Sequence, residues 1–170
     1  MKSYLLAAGR GRRAGGPKAW LIHDRRPLLE VQLDFLLRRF LPEEVFISIQ
    51  AEWLARCRAL NRAVFWVPTD PDLPAFASLL KLLTVSTRED WAFVHHVDMP
   101  VWEPALFDSL AARAATTEAD AVAPRHKGRR GHPVLLSPRA QAELAKVDPL
   151  RGRLDRWLAF RRVDDVEMPF

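Results

Sequence analysis

Three segments of the 170-residue sequence carry residue types suited to phosphate chemistry. The first is Leu6-Ala7-Ala8-Gly9-Arg10-Gly11-Arg12-Arg13-Ala14-Gly15-Gly16-Pro17-Lys18. Four glycines after an apolar run let the backbone fold tightly and turn its N–H groups toward an anion. Arg13 and Lys18 would neutralise a triphosphate held there. The spacing is not GxxxxGK[ST], because Ala19 follows Lys18, and not GxGxxG, because position 14 is alanine. Taken alone, the segment reads equally as a flexible surface loop with solvated arginines.

The second segment, Asp98-Met99-Pro100, ends an apolar run at 91–97. A carboxylate at the carboxyl end of a strand can hold Mg²⁺ together with water and phosphate oxygens, although an aspartate close to a proline also suits a plain turn. The third is Thr69-Asp70-Pro71-Asp72-Leu73-Pro74-Ala75-Phe76-Ala77-Ser78. Here Ser78 could bond a phosphate or a base, and Asp70 or Asp72 could accept from a nucleobase amino group. The bland alternative is a proline-rich turn that caps a helix.

Charge points the same way. The net charge is +5, arginine supplies 21 of the 26 cations, and a second basic cluster runs Arg125-His126-Lys127-Gly128-Arg129-Arg130-Gly131-His132. Arginine forks suit phosphate oxygens, so a polyanionic ligand is expected. Neither cluster interleaves stacking aromatics, which argues against nucleic acid and for a small phosphorylated ligand. The single cysteine, Cys57, excludes an internal disulfide framework and fits a reducing, cytoplasmic compartment. It lies in a helical pattern and reads as a small buried hydrophobe. His95 and His96 alternate across a strand, so they cannot both face one site, and one of them is expected to be a hydrogen-bonded core residue. The opening residues are too charged for a signal peptide, and no apolar run is long enough to span a membrane.

The elements that must position these residues alternate. Strands are expected at 3–8, 45–49, 63–67, 91–97, 120–124 and 133–136, with an edge strand in the last ten residues. Helices are expected at 27–40, 52–60, 75–87, 103–115, 138–146 and 150–160, and a basic loop at 125–132. Such alternation gives βαβ units, hence an α/β protein with a mostly parallel sheet and helices on both faces. No repeat or linker interrupts it, and its length suits one domain over 1–170. Ligands bind beyond the carboxyl ends of strands in such sheets, so segments 9–18, 68–78 and 98–100 should converge.

The motif L-A-A-G-x-G-x-R-x-G-x-P-K, with Pro27-Leu28-Leu29-Glu30 just downstream, resembles the opening of the MobA-like nucleotidyltransferases, which attach CMP or GMP to molybdopterin. The likeness continues at Asp98-Met99-Pro100 and at Gly128-Arg129-Arg130-Gly131-His132-Pro133-Val134, in family order and over nearly the whole chain. It implies a three-layer α/β/α fold with a Rossmann-like sheet, of the nucleotide-diphospho-sugar transferase type. It also implies a Mg²⁺-dependent transfer from an NTP to a phosphorylated acceptor, with release of pyrophosphate. On this likeness the nucleotide contacts are Leu6, Ala7, Ala8, Gly9, Gly11, Arg13, Lys18, Asp70 and Ser78. Asp98 is the metal ligand and shares the catalytic role with Arg13 and Lys18, while Arg130 and His132 bind the acceptor.

Ala8 resembles the CTP-using members, and Asp155-Arg156-Trp157-Leu158 resembles a stretch of the guanylyl members, which puts CTP first and GTP second. The acceptor is expected to be molybdopterin or its molybdenum-loaded form, passed on to a protein partner. A sugar 1-phosphate is the alternative. The sequence departs from the family pattern at Asp24-Arg25 and Val97, where glycine is frequent, at Pro74 and Phe76, and after Glu167-Met168-Pro169-Phe170, past which family members usually continue into a D-I-D/N-I-N-T-P-like segment. These departures keep a second class of reading open, a degenerate protein that binds a nucleotide or a partner without catalysis.

Overall fold

The protein is described by a computed structural model covering residues 1–169, the side chain of Arg13 excepted. In chain order it forms β1 (Lys2–Leu6), a hairpin of β2 (Ile22–His23) and β3 (Arg26–Pro27), α1 (Leu28–Leu36), β4 (Val45–Gln50), α2 (Leu54–Ala59) and β5 (Phe65–Thr69). There follow α3 (Ala75–Val85), β6 (Ala92–His96), α4 (Pro104–Ala114), β7 (Ala121–His126) and β8 (Arg129–Arg130). The chain continues through β9 (Val134–Leu136), α5 (Pro138–Leu144), α6 (Leu154–Leu158) and β10 (Val163–Glu167).

The main sheet has the order β10-β7-β9-β6-β1-β4-β5, with β8 paired to β7. β1 pairs in parallel with β4 and with β6, and β4 with β5, whereas β9 runs antiparallel between β6 and β7. Parallel strands covered on both faces read as continuous apolar runs, which is why Lys-Ser-Tyr-Leu-Leu and Val-Phe-Ile-Ser-Ile-Gln are buried throughout. Their side chains divide by parity. Tyr4 and Leu6 join the core under α3, α5 and α6, while Leu5 and Ala7 join the core under α1, α2 and α4. The result is the expected three-layer arrangement. Among the described residues, no helix is long and apolar enough to cross a membrane.

After β1 the chain adds β4 and β5 on one side, then crosses to add β6 on the other. The direction of winding therefore reverses at β1, and a crevice opens beyond its carboxyl end. Two local differences from the sequence reading bear on the site. The helix expected from residue 27 is preceded by a hairpin whose turn residues, Asp24 and Arg25, both have positive φ (48° and 65°). The basic stretch 125–132 is not a loop. Arg125 and His126 complete β7, Lys127 and Gly128 turn with φ of 48° and 78°, and Arg129-Arg130 return as β8. Turns with two consecutive positive φ values match the twist of the strands they join, so both segments close as tight hairpins.

Candidate active site

The chain leaves β1 under control. Ala7 donates its N–H to Ser48 O at 3.1 Å, and Gln50 Nε2 donates to Gly9 O at 3.2 Å, so the strand alignment persists up to the loop. Gly11 then adopts φ 59° and caps a 3-10 turn, Arg12–Ala14, and its carbonyl accepts from Ala14 N (2.7 Å) and Gly16 N (3.3 Å). A Cβ at Gly11 would lie 1.9 Å from Gly16 O, so only glycine fits this close crossing. Pro17 opens a second 3-10 turn, Lys18–Trp20, and Lys18 Nζ donates to Asp98 Oδ2 at 2.5 Å.

The opposite wall begins where β5 ends. Asp70 Oδ1 accepts from Asp72 N at 2.8 Å, a local turn that directs the Asp72 carboxylate back across the opening. There Arg10 holds it with two hydrogen bonds (2.6 and 2.5 Å), and Arg12 adds a third at 3.1 Å. The Arg10 hydrogen bond keeps the Asp72 carboxyl below the usual carboxylate range. Ser78, one turn into α3, donates Oγ–H to Thr69 Oγ1 at 3.4 Å.

Asp98 sits in a pinned turn after β6. Val97 N donates to Leu6 O at 3.0 Å, and Val97 O accepts from Gln32 Nε2 at 2.7 Å. Burial alone would raise the Asp98 pKa. The hydrogen bond and charge of Lys18 outweigh it, and the carboxyl lies below its ordinary value. No group of three or more His, Cys, Asp or Glu side chains stands together among the described residues. One carboxylate facing a phosphate-sized cradle still fits Mg²⁺, which keeps several waters and is commonly held by one or two carboxylates plus substrate phosphates.

The three segments do converge. A cleft of about 550 Å³ is lined by Leu6, Ala8, Gly9, Gly11, Lys18, Asp70, Ser78 and Asp98, with Arg12 and Val97 beside them. Ala7 points the other way and is buried in the opposite core. The Arg13 side chain lies outside the described residues.

A second cleft of about 570 Å³ adjoins the first, and Leu6, Ala75 and His96 line both. Arg130 and His132 stand here, across from Arg153, Leu154 and Leu158. Arg130 is not free, since its Nε donates to Asp165 Oδ1 at 2.5 Å. Arg125, from the same basic cluster, also bonds Asp165, at 2.9 Å.

Cys57 is buried in α2, and burial pushes its thiol up to about 11, as suits an inert packing residue. His95 is the core histidine, 2.8 Å from Ser3 Oγ. His96 faces the clefts instead. Sequence reasoning passed over it, and the one available signal was parity: His96 lies opposite Leu6 in the β1–β6 register and shares its face.

Residues 4–166 match the MobA-like NTP transferase domain family. A comparison with curated proteins returns no match. Among solved structures, the chain is similar to the molybdopterin-guanine dinucleotide biosynthesis protein A of Archaeoglobus fulgidus, with TM-score 0.73, 20% identity, and 98% of this chain and 83% of that one covered. It is also similar to Rv0371c of Mycobacterium tuberculosis, with TM-score 0.79, 22% identity and coverages of 99% and 88%. A structure of Rv0371c in complex with manganese aligns over 98% of this chain and 87% of that one, with 19% identity and TM-score 0.74. A third likeness is to the 4-diphosphocytidyl-2C-methyl-D-erythritol synthase of Anaerococcus prevotii, with TM-score 0.74, 14% identity and coverages of 99% and 89%.

Proposed function

The chain belongs to the MobA-like NTP transferase family, and from that premise we propose that it transfers CMP, or GMP as second choice, from an NTP to the phosphate of a molybdopterin-type acceptor. The observation that carries this reading is the meeting of the Gly9–Gly11 backbone, Lys18 and Asp98 in one cleft, with a second cleft joined to it. An acceptor phosphate oxygen attacks the α-phosphorus, the bond to the bridging oxygen breaks, and pyrophosphate leaves with the electron pair. No covalent enzyme intermediate is required, so catalysis is chiefly positioning and charge stabilisation.

In this reading the Gly9 and Gly11 backbone cradles the phosphates, Lys18 and Arg13 hold the departing β- and γ-phosphates, and Asp70 and Ser78 approach the nucleoside. Leu6 and Ala8 form the apolar floor. Lys18 exchanges Asp98 for a phosphate oxygen when nucleotide arrives, which frees the Asp98 carboxylate. That carboxylate would hold the divalent ion, Mg²⁺ by expectation, whose bound charge favours pyrophosphate as a leaving group. Arg130 and His132 belong to the acceptor side.

The test is thermal unfolding with CTP, GTP, ATP and UTP, each with and without Mg²⁺. A ligand at 100 times its Kd adds about 2.7 kcal/mol of stability, enough to raise Tm measurably. A Mg²⁺-dependent rise with CTP, or with GTP, is expected. No rise with any of the four would move the assignment to a non-catalytic binding protein.

A further inference from the structure

The seam between the two clefts carries polar atoms with nothing to bond. His96 ends β6 and lines both clefts, and its ring stands edge-on to that of His132, with centroids 5.0 Å apart and planes at 84°. Among the described residues the His96 side chain makes no hydrogen bond, and His132 Nδ1 is buried without a partner. The arginines of the second cleft differ in this respect. Arg130 is held by Asp165, and Arg153 bonds both oxygens of Asp155, at 3.0 and 2.7 Å. A buried polar nitrogen left unbonded is costly, and native structures keep few of them without a reason. His132 Nδ1 is one such atom, and the half-buried His96 ring, in edge contact with the His132 ring, lines both clefts, where it can meet polar atoms from outside the chain.

Their place limits what those atoms can be. A group bound at the seam touches the nucleotide cleft on one side and the apolar second cleft, with Phe76, Leu79 and Val134, on the other. That is where an attacking phosphate must stand if its organic body occupies the second cleft. We infer that His96, paired with His132, binds the attacking phosphate of the acceptor by imidazole N–H donation, and so selects phosphate monoesters with an apolar or aromatic body. A neutral imidazole offers one N–H and one acceptor nitrogen, so the contact needs no change of protonation. The inference rests on the transferase reading, with the acceptor in the second cleft.

The experiment uses phenyl phosphate as the probe, with inorganic pyrophosphate present to occupy the Gly9–Lys18 loop. Binding is followed in protein labelled with ¹⁵N-histidine and by calorimetry. Saturable shifts of the His96 and His132 ring nitrogens are expected. His96→Leu should weaken phenyl phosphate at least tenfold, and His96→Asn, which keeps a donor, should stay within about threefold. The loss should fall on phenyl phosphate and not on pyrophosphate, a split that general misfolding would not produce. A second variant, Ala159→Trp, narrows the second cleft from an exposed position. If Ala159→Trp abolishes binding while His96→Leu binds normally, the histidine contact is overturned and the acceptor cleft stands. If neither variant matters, or the wild type does not bind phenyl phosphate, both are overturned.

Discussion

The two clefts that meet at Leu6, Ala75 and His96 handle charge in opposite ways. In the nucleotide cleft the cations of the glycine loop reach across the opening. Arg10 and Arg12 grip Asp72, and Lys18 grips Asp98, all at least partly open to solvent. Exposed ion pairs contribute little to stability, so a triphosphate can replace these acids at small cost. In the second cleft the arginines are fixed from behind. Arg130 is bound by Asp165 of strand β10, which also takes Arg125 of β7 outside the cleft lining, and Arg153 is matched within its own turn by Asp155. What remains available there is a pair of imidazoles below their ordinary pKa, in each case chiefly because burial disfavours the charged form. On the proposed reading, one wall exchanges its partners for a polyanion, and the other presents neutral donors to a single phosphate.

The strongest way to break that contrast is Asp98→Asn. The fold should survive, because the side chain is partly exposed and its turn is held by backbone bonds. Turnover should fall at least a hundredfold, equivalent to about 2.7–4 kcal/mol by comparison with loss of an oxyanion donor. Circular dichroism with steady-state pyrophosphate release measures both, and a wild-type rate would remove Asp98 from the machinery.

Next comes pH. Burial lowers the His95 pKa from 6.5 to about 3, so below pH 6.5 the unfolded chain binds more protons than the folded one. Stability is therefore complete above pH 6.5 and declines as pH falls toward the folded value, by roughly 2 kcal/mol between pH 7 and 5 from this residue. Urea unfolding at the two pH values reports it, and a constant midpoint would contradict a neutral buried imidazole.

Gly11→Ala sharpens the nucleotide side alone. The Cβ would clash with Gly16 O in a backbone at φ 59°, so the loop must rebuild. Nucleotide affinity should drop about tenfold, and phenyl phosphate binding in the second cleft should hold, as paired titrations would reveal. The smallest effect has the opposite sign. Asp72→Asn releases Arg10 and Arg12, and NTP affinity should rise two- to fivefold at low salt, an advantage that shrinks as salt increases. Unchanged affinity would show that Asp72 does not compete with the ligand.

Much of this was legible in the residues. The apolar run before Gly9 and the alternation of helix and strand gave the layers, and the rule that ligands sit at strand carboxyl ends brought Lys18, Asp70, Ser78 and Asp98 to one cleft. What escaped was set by tertiary pairing. The 22–27 hairpin has no Asn-Gly or Gly-Gly turn, because Asp24 and Arg25 accept the positive φ instead. The basic stretch around Lys127 reads as a loop until Asp165 of β10 is seen to bind Arg125 and Arg130 some 35 to 40 residues away. The Arg10–Asp72 clamp spans 62 residues. His96 could be told from His95 only through its register with Leu6.

The most direct measurement of the central claim is pyrophosphate release from CTP and GTP with molybdopterin as acceptor, in the presence and absence of Mg²⁺, by wild type and Asp98→Asn. The account predicts Mg²⁺-dependent release with one of the two nucleotides, matched mole for mole by nucleotidylated acceptor, and at least a hundredfold less from the variant. Equal rates in the two proteins, or release without any nucleotidylated acceptor, would contradict it.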